Sequence, residues 1–181
     1  LTNRAIAQLL GQLSSEKIGF AVAVQHDAYR IFVQTMGSAN SEQIIAFFDQ
    51  MKEMSNDAIK NLLTLAAVKT GLFKRRMIHV ARRFGALEEW ADFSSVSLQK
   101  LVKSFEGTPI YEEALKEGFT KDLDMDTLIH VLRGIRDGKL HVRKMATRGT
   151  ASPIARLGIE RVSMKTDLIP PERMQAVLIE S

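Results

Sequence analysis

The sequence predicts an α+β domain that is mainly helical and carries a β-hairpin or small sheet. Apolar residues recur at spacings of three and four over most of the chain, which is the period of an amphipathic helix. Near the start, however, two short runs rich in Val, Phe and Ile flank a polar break, which is the pattern of a hairpin. Repeated caps and glycines then divide the chain into short elements.

The first 35 residues predict a helix followed by the hairpin. Residues 2–13 place their large apolar side chains on one helical face. Ile18–Val24 and Tyr29–Thr35 are the two predicted strands, and residues 25–28 form the break between them.

Capping residues predict where the later helices begin. Asn40 with Gln43 indicates a capping box, and Thr108-Pro109 is a cap followed by proline at the first helical position. Leu72–Phe84 is predicted as a helix closed by Gly85. The other predicted starts are Asn56 or Asp57, Ser94 or Ser95, Asp124, Ser152 and Pro170, and the other stops are Gly71, Gly107, Gly118 and Gly138. A further strand is predicted over residues 140–145.

The chain length fits one domain or two closely packed subdomains, and we expect two. Residues 1–40 would form a helix-plus-hairpin subdomain, and residues 41–181 a mainly helical C-terminal subdomain. A chain of 181 residues can bury roughly 70% of the surface that it exposes when unfolded. Because the chain begins at Leu1 rather than at methionine, we interpret it as a piece of a longer protein.

Composition excludes several classes of site. There are no cysteines, so disulfides, thiolate zinc sites and thiol nucleophiles are ruled out. The longest apolar runs, such as Ile18–Val24, fall far short of the roughly 20 residues that span a bilayer. The first residues do not show the charged start, apolar core and small-residue cleavage site of a secretion signal, so we do not expect secretion. We therefore expect a cytoplasmic protein without a membrane partner.

Positive charge is concentrated in two blocks. Residues 58–87 hold seven Lys or Arg and no acid, and residues 133–165 hold nine against two acids. Such blocks favour an anionic partner, with a nucleic acid first and an acidic protein second. An ordinary solvated surface is the remaining interpretation.

The predicted helix Leu72–Phe84 carries the most informative pattern. Advancing each residue by about 100° gathers five cationic or imidazole side chains within a sector of roughly 120°, opposite an apolar face. These residues are Arg75, Arg76, His79, Arg82 and Arg83. No glutamate at the i+4 position compensates them, which favours phosphate binding. The alternative is ion pairing with carboxylates elsewhere, such as Glu88, Glu89 or Asp92.

Two further features are candidates for nucleic-acid contact. Arg143, Lys144 and Arg148 lie on the predicted strand and the loop after it, where they could clamp a backbone or simply protect a sheet edge. Trp90 could stack on a base, although core packing is the simpler interpretation.

No metal, nucleotide or catalytic site is predicted. Asp122, Asp124 and Asp126 alternate as in a calcium loop, but Thr127 and Arg133 occupy the positions that require glycine and glutamate. The phosphate-loop pattern is incomplete around Gly138-Lys139, and no nucleophile or acid–base set converges. These residues favour a binding module over an enzyme, without a cofactor of its own.

Several ordered motifs resemble the large helicase-related (Lhr) type of ATP-dependent helicase, in its archaeal form. They are Val24–Ile31 (VQHDAYRI), Leu72–Gly85 (LFKRRMIHVARRFG), Phe105–Leu115 (FEGTPIYEEAL), Leu132–Ile135 (LRGI) and Ser152–Arg156 (SPIAR). The resemblance spans nearly the whole chain. Ala28 departs from the family, which often has proline at this position.

This resemblance implies a role within a larger motor. In such proteins two RecA-like domains and a winged helix precede a domain like this one, and the motor uses ATP and Mg²⁺ to move 3′-to-5′ along single-stranded DNA. The resemblance also implies DNA or RNA–DNA hybrid substrates and a setting in DNA repair. We therefore expect an accessory domain that grips the tracking strand, or alternatively a module that docks on the motor or on a repair partner.

Overall fold

Seven α-helices, three short strands and one π-helical turn make up the part of the chain that our computed structural model describes, which is residues 1–35, 40–88, 97–143 and 167–169. In order they are α1 (Thr2–Ile18), β1 (Val22–His26), β2 (Ile31–Thr35), α2 (Ser41–Glu53), α3 (Asn56–Ala67), α4 (Gly71–Arg83), α5 (Leu98–Phe105), α6 (Pro109–Glu117), the π turn (Gly118–Leu123), α7 (Met125–Arg136) and β3 (Asp167–Ile169). The predicted class, mainly helical with a small antiparallel sheet, is confirmed.

The first helix runs further than predicted and displaces the start of the hairpin. Gly19 ends α1 in the left-handed conformation at φ 78°, and its N–H donates to the Ser15 carbonyl at 2.9 Å. Only glycine adopts this conformation without a steric cost. The predicted strand Ile18–Val24 is therefore wrong over its first residues, since Ile18 belongs to α1 and β1 begins at Val22.

The hairpin is closed by an aspartate. Asp27 Oδ1 accepts hydrogen bonds from the backbone N–H groups of Tyr29 at 2.7 Å and Arg30 at 2.8 Å. Its other oxygen pairs with the Arg30 guanidinium at 2.6 Å. The hydrogen bond from Arg30 lowers the pKa of Asp27. The break is as long as predicted but lies two residues later, over residues 27–30, because Gln25 and His26 continue β1 and β2 begins at Ile31 rather than at Tyr29. β3 completes the sheet on the other side of β1.

Most predicted helix starts are confirmed, and one predicted helix end is corrected. Asn40 and Gln43 form the capping box, and Thr108 caps α6 ahead of Pro109. Helix α3 begins at Asn56, as predicted, and Ser55 is its cap. Gly71 does not end α3 but begins α4, because the Thr70 side chain accepts from the Phe73 N–H and makes Thr70 a cap. Residues 94–96 lie outside the described ranges.

Helix α1 is the centre of the main core. Leu9 and Leu13 pack in one cluster with Met51 of α2, Leu63 of α3 and Leu132 of α7. The sheet covers another side of α1, so residues 5–15 are all buried. This core takes residues from both sides of the expected boundary at residue 40, and the division into two subdomains stays a prediction.

A second cluster holds the arginine-rich helix in place. Phe73, Met77 and Val80 of α4 pack against Leu101 of α5 and Ala114 of α6. This cluster fixes which face of α4 points outward.

The segment after α7 forms no strand over residues 140–143, so the predicted strand is wrong there. The backbone N–H groups of Lys139 and Leu140 instead both donate to the Gly134 carbonyl, at 2.8 and 2.9 Å. These bonds satisfy the end of α7 and turn the chain away from an extended path. Residues 144–145 and the predicted helix starts Ser152 and Pro170 lie outside the described part of the chain.

Replacing Asp124 tests how the π turn joins α7. Asp124 has φ 50° and accepts from the Thr127 N–H at 3.4 Å. We expect Asp124→Ala to lower the free energy of unfolding by about 1–2 kcal/mol, because alanine neither caps nor tolerates this backbone conformation. Asp124→Asn retains both properties and should stay within about 0.5 kcal/mol. Urea unfolding monitored by circular dichroism measures the difference, and equal stability of the two variants would contradict this account of the junction.

Candidate nucleic-acid interface

Helix α4 presents the predicted cationic face to solvent. Its N-terminus is capped by Thr70, and the positive φ of Gly85 turns the chain just beyond its end. Phe73 is buried in the second cluster, where its ring meets that of Tyr111 edge-on at a centroid distance of 6.0 Å. The opposite face of the helix is therefore directed outward.

The five predicted contact residues of α4 do not share one environment. Arg75, His79 and Arg83 are exposed, whereas Arg76 and Arg82 are half-buried. Within the described residues Arg75 forms no salt bridge. The exposed members follow one another at i, i+4 and i+8 and so form a stripe about 12 Å long.

Arg76 and Arg83 are held by two carboxylates. The Arg76 guanidinium binds both oxygens of Asp122, with Nη2–Oδ1 at 2.7 Å and Nε–Oδ2 at 3.1 Å, and its Nη1 reaches Glu117 Oε2 at 3.2 Å. Arg83 Nη2 donates to the other Glu117 oxygen at 2.6 Å, and Lys121 Nζ lies 3.4 Å from that oxygen. We call these five residues the ion-pair network.

The end of α6 and the π turn that follows it carry the two carboxylates of this network. Glu117 is the last residue of α6, and Asp122 lies one residue before the end of the π turn. A π turn is wider than an α-helical turn, and such turns occur frequently at functional sites. Arg4 of α1 donates to the Asp122 carbonyl at 3.4 Å, which ties the turn to the central helix.

Most side chains of the ion-pair network are largely buried. The side chains of Glu117 and Asp122 are only 10% and 14% exposed, and that of Arg76 is 22% exposed, whereas that of Arg83 is 53% exposed. The hydrogen bond from Arg83 lowers the pKa of Glu117, and burial opposes this effect. The hydrogen bond to Asp122 raises the pKa of Arg76. Both shifts favour the charged forms of Glu117 and Arg76.

The sequence did not identify these partners. It suggested Glu88, Glu89 or Asp92 as carboxylates for the arginines, whereas Glu117 and Asp122 are the ones that bind Arg76 and Arg83. Glu88 is exposed, and Glu89 and Asp92 lie outside the described residues. The observed partners are 34 to 46 residues away along the chain, so no local spacing could reveal them.

The second basic stretch is only partly described. Arg143 is exposed and lines a groove formed by residues of α1, β2 and α2, none of which belongs to α4. Lys144, Arg148 and Trp90 lie outside the ranges that the structure describes. Their roles in backbone contact and base stacking stay predictions.

Two other features are absent from the described ranges. No set of three or more His, Asp or Glu side chains there is arranged to hold a metal ion. Among the same residues, no helix combines the length and apolar character needed to cross a bilayer.

Lowering the pH should weaken the network through Glu117. Because its pKa in the folded protein lies below the ordinary value of 4.5, ionised Glu117 stabilises the fold above that pH, and this contribution is lost as the pH falls through the folded pKa. Glu117→Gln should cost about 1–3 kcal/mol at neutral pH, because Arg76 loses a charged partner. Its unfolding free energy should then fall less than that of the wild type between pH 6 and pH 3 (roughly the range over which carboxyls titrate).

The matched control is Glu112→Gln, which removes an exposed carboxylate from the same helix. Its pH profile should follow that of the wild type. Urea unfolding at each pH provides the measurement, and parallel profiles for wild type and Glu117→Gln would show that the network does not stabilise the fold.

Comparison with known proteins places this arrangement in a family. A family model described as DEAD/H associated matches residues 1–155, which is most of the chain. Searches of curated proteins and of solved structures found no match. Domains of this kind occur in helicase-associated regions, so the expectation of a helicase-related protein is confirmed. The chain belongs to the DEAD/H associated family.

Proposed function

We propose that this chain is the accessory nucleic-acid-binding domain of an Lhr-type, superfamily-two, 3′-to-5′ DNA helicase, and that it grips the tracking single strand. The observation that carries the proposal is the exposed stripe of α4, formed by Arg75, His79 and Arg83. Membership of the DEAD/H associated family supports the helicase setting.

The charge of the stripe suits a polyanion. The ion-pair network contains three cationic side chains and two carboxylates, which leaves one positive charge, and exposed Arg75 beside it adds a second. Phosphate groups of a nucleic acid attract such a surface and release their counterions on binding.

Arg76 and Arg83 have different roles in the ion-pair network. Arg76 donates three hydrogen bonds to Asp122 and Glu117, and its side chain is only 22% exposed. We therefore assign it to positioning α4 against the π turn. Arg83 donates one nitrogen to Glu117 while half of its side chain remains exposed. Because a guanidinium has five N–H donors, Arg83 can hold Glu117 and a phosphate together.

Contact with the phosphate backbone of a nucleic acid suits a translocating motor. Phosphate contacts carry no sequence information, and a motor must pass every sequence. In the parent helicase the motor domains would bind ATP and Mg²⁺, whereas this domain would hold single-stranded DNA or an RNA–DNA hybrid. Lys144, Arg148 and Trp90 would assist in holding the strand. The parent protein would be an archaeal-like helicase that serves DNA repair in the cytoplasm.

Salt-dependent binding tests the stripe. We expect the chain to bind a labelled oligothymidylate with an affinity that falls steeply with salt, as measured by fluorescence anisotropy. The double variant Arg75→Gln/Arg83→Gln should reduce the log–log salt slope by about 1.4, at about 0.7 for each lost phosphate contact on a single strand.

A charge-matched control removes two exposed cations from other helices, Lys60 of α3 and Arg133 of α7. The variant Lys60→Gln/Arg133→Gln should retain the wild-type slope. Equal slopes for both double variants, or no binding at low salt, would refute the assignment. If the stripe variant instead lost a salt-sensitive complex with the separately expressed motor, the stripe would be a protein-docking surface.

A further inference from the structure

One edge of the sheet offers unused backbone groups. The strand order β2-β1-β3 leaves β2 at an edge. The Asp27 N–H donates to the Arg30 carbonyl at 2.9 Å, so Asp27 and Arg30 form a hydrogen-bonded pair. Hydrogen-bonded and non-hydrogen-bonded pairs alternate along an antiparallel ladder, which makes Ile31 and Val33 members of non-hydrogen-bonded pairs. The N–H and C=O groups of Ile31 and Val33 therefore point away from β1. Nothing among the described residues binds them on that side.

An apolar groove of about 470 Å³ lies beside this edge. Ile31 and Val33 line it from β2, and side chains of α2, among them Ile45, line it as well. Ile6 and Leu10 of α1, which are 9% and 6% exposed, contribute its buried surface.

Helix α2 is poorly covered for a helix with so many large apolar residues. Among its residues only Met51 is buried, whereas Ile44, Ile45, Phe47 and Phe48 are all half-buried. Partly exposed apolar residues that gather around a groove are typical of binding surfaces.

The lining of the groove also includes one charged side chain. Val142 and Arg143 line it after α7, and the Val142 side chain is 50% exposed. Arg143 is exposed and forms no salt bridge with any described residue. A ligand that fills the groove would therefore gain from a carboxylate near Arg143.

We propose that β2 and this groove bind an extended segment of a partner protein as a fourth strand of the sheet. The partner's backbone pairs with Ile31 and Val33, and its alternate side chains, which are large and apolar, enter the groove beside α2. An acidic residue of the segment meets Arg143. Strand addition of this kind combines backbone hydrogen bonds with pockets for every second side chain.

This surface is separate from the nucleic-acid stripe and does not depend on it. None of the groove residues lies on α4, and an apolar lining with a single guanidinium suits a peptide rather than a polyanion. The two proposals can therefore fail independently.

Amide exchange in the full chain, followed by NMR, tests the free edge directly. We expect the amides of Ile31 and Val33 to exchange faster than those of Phe32 and Gln34, which face β1. Selection from a displayed library of random decapeptides should return sequences with alternating apolar residues and an acid (about ten residues is a typical upper length for one strand). A selected peptide should slow exchange at Ile31 and Val33.

Groove variants complete the test. Ile45→Lys should weaken binding of the selected peptide about tenfold or more, since a charge then faces apolar surface, whereas Ile45→Leu should stay within about twofold. Circular dichroism checks that each substitution at Ile45 leaves helix α2 folded. Arg143→Gln alters only an exposed side chain and should weaken binding of acidic peptides but not of their amide versions.

Three results would overturn the proposal. Slow exchange at Ile31 and Val33 in the free chain would mean that the edge is already covered, and sedimentation equilibrium would then distinguish a second copy from the chain's own residues 144–181. If the library returned no binder, the surface would not bind a peptide strand. Unchanged affinity in both Ile45→Lys and Arg143→Gln would place the peptide elsewhere.

Discussion

The structure depends on the burial of the central part of one helix. Residues 5–15 of α1 are buried around the whole circumference, so polar side chains are enclosed together with the apolar ones. Gln12 is satisfied by Glu16 and by Lys69 of the α3–α4 connection, with bonds of 2.7 and 3.2 Å. Among the described atoms, Gln8 Oε1 and Ser14 Oγ have no partner, and each such group costs about 1–3 kcal/mol. The packing of leucines around α1 must offset that cost, which makes this helix the scaffold for the sheet and for α2, α3 and α7.

Much of the fold followed from local sequence. Capping residues such as Asn40 and Thr108 carry their signal within three positions, so their helices were predicted almost to the residue. Glycines mark ends equally well when they follow a helix, but Gly71 shows that the same residue can open one. The burial of α1 was not predictable, because its polar residues look like a solvent face until other elements close over them.

The candidate site shows the same division. The period of α4 predicted which residues share its outer face, since the helix turns by a fixed angle for each residue. It could not predict that Arg76 and Arg83 meet Glu117, because that contact depends on how α6 packs against α4. The pattern of cations therefore located the surface, and only the tertiary structure separates the positioning arginine from the exposed ones. The groove beside β2 was missed altogether, because a sheet edge is a property of strand order.

The π turn has a consequence for how this family can change over evolution. It contains one more residue per turn than the helix that precedes it, so it sets the phase between α6 and α7. Removing a residue from Gly118–Leu123 would rotate everything that follows by about 100° and carry the Asp122 carboxylate off the α4 side. Substitutions at an exposed position such as Thr120 leave that phase untouched. Relatives of this domain should accordingly keep the length of this segment constant, with residue type free to vary only at exposed positions such as Thr120.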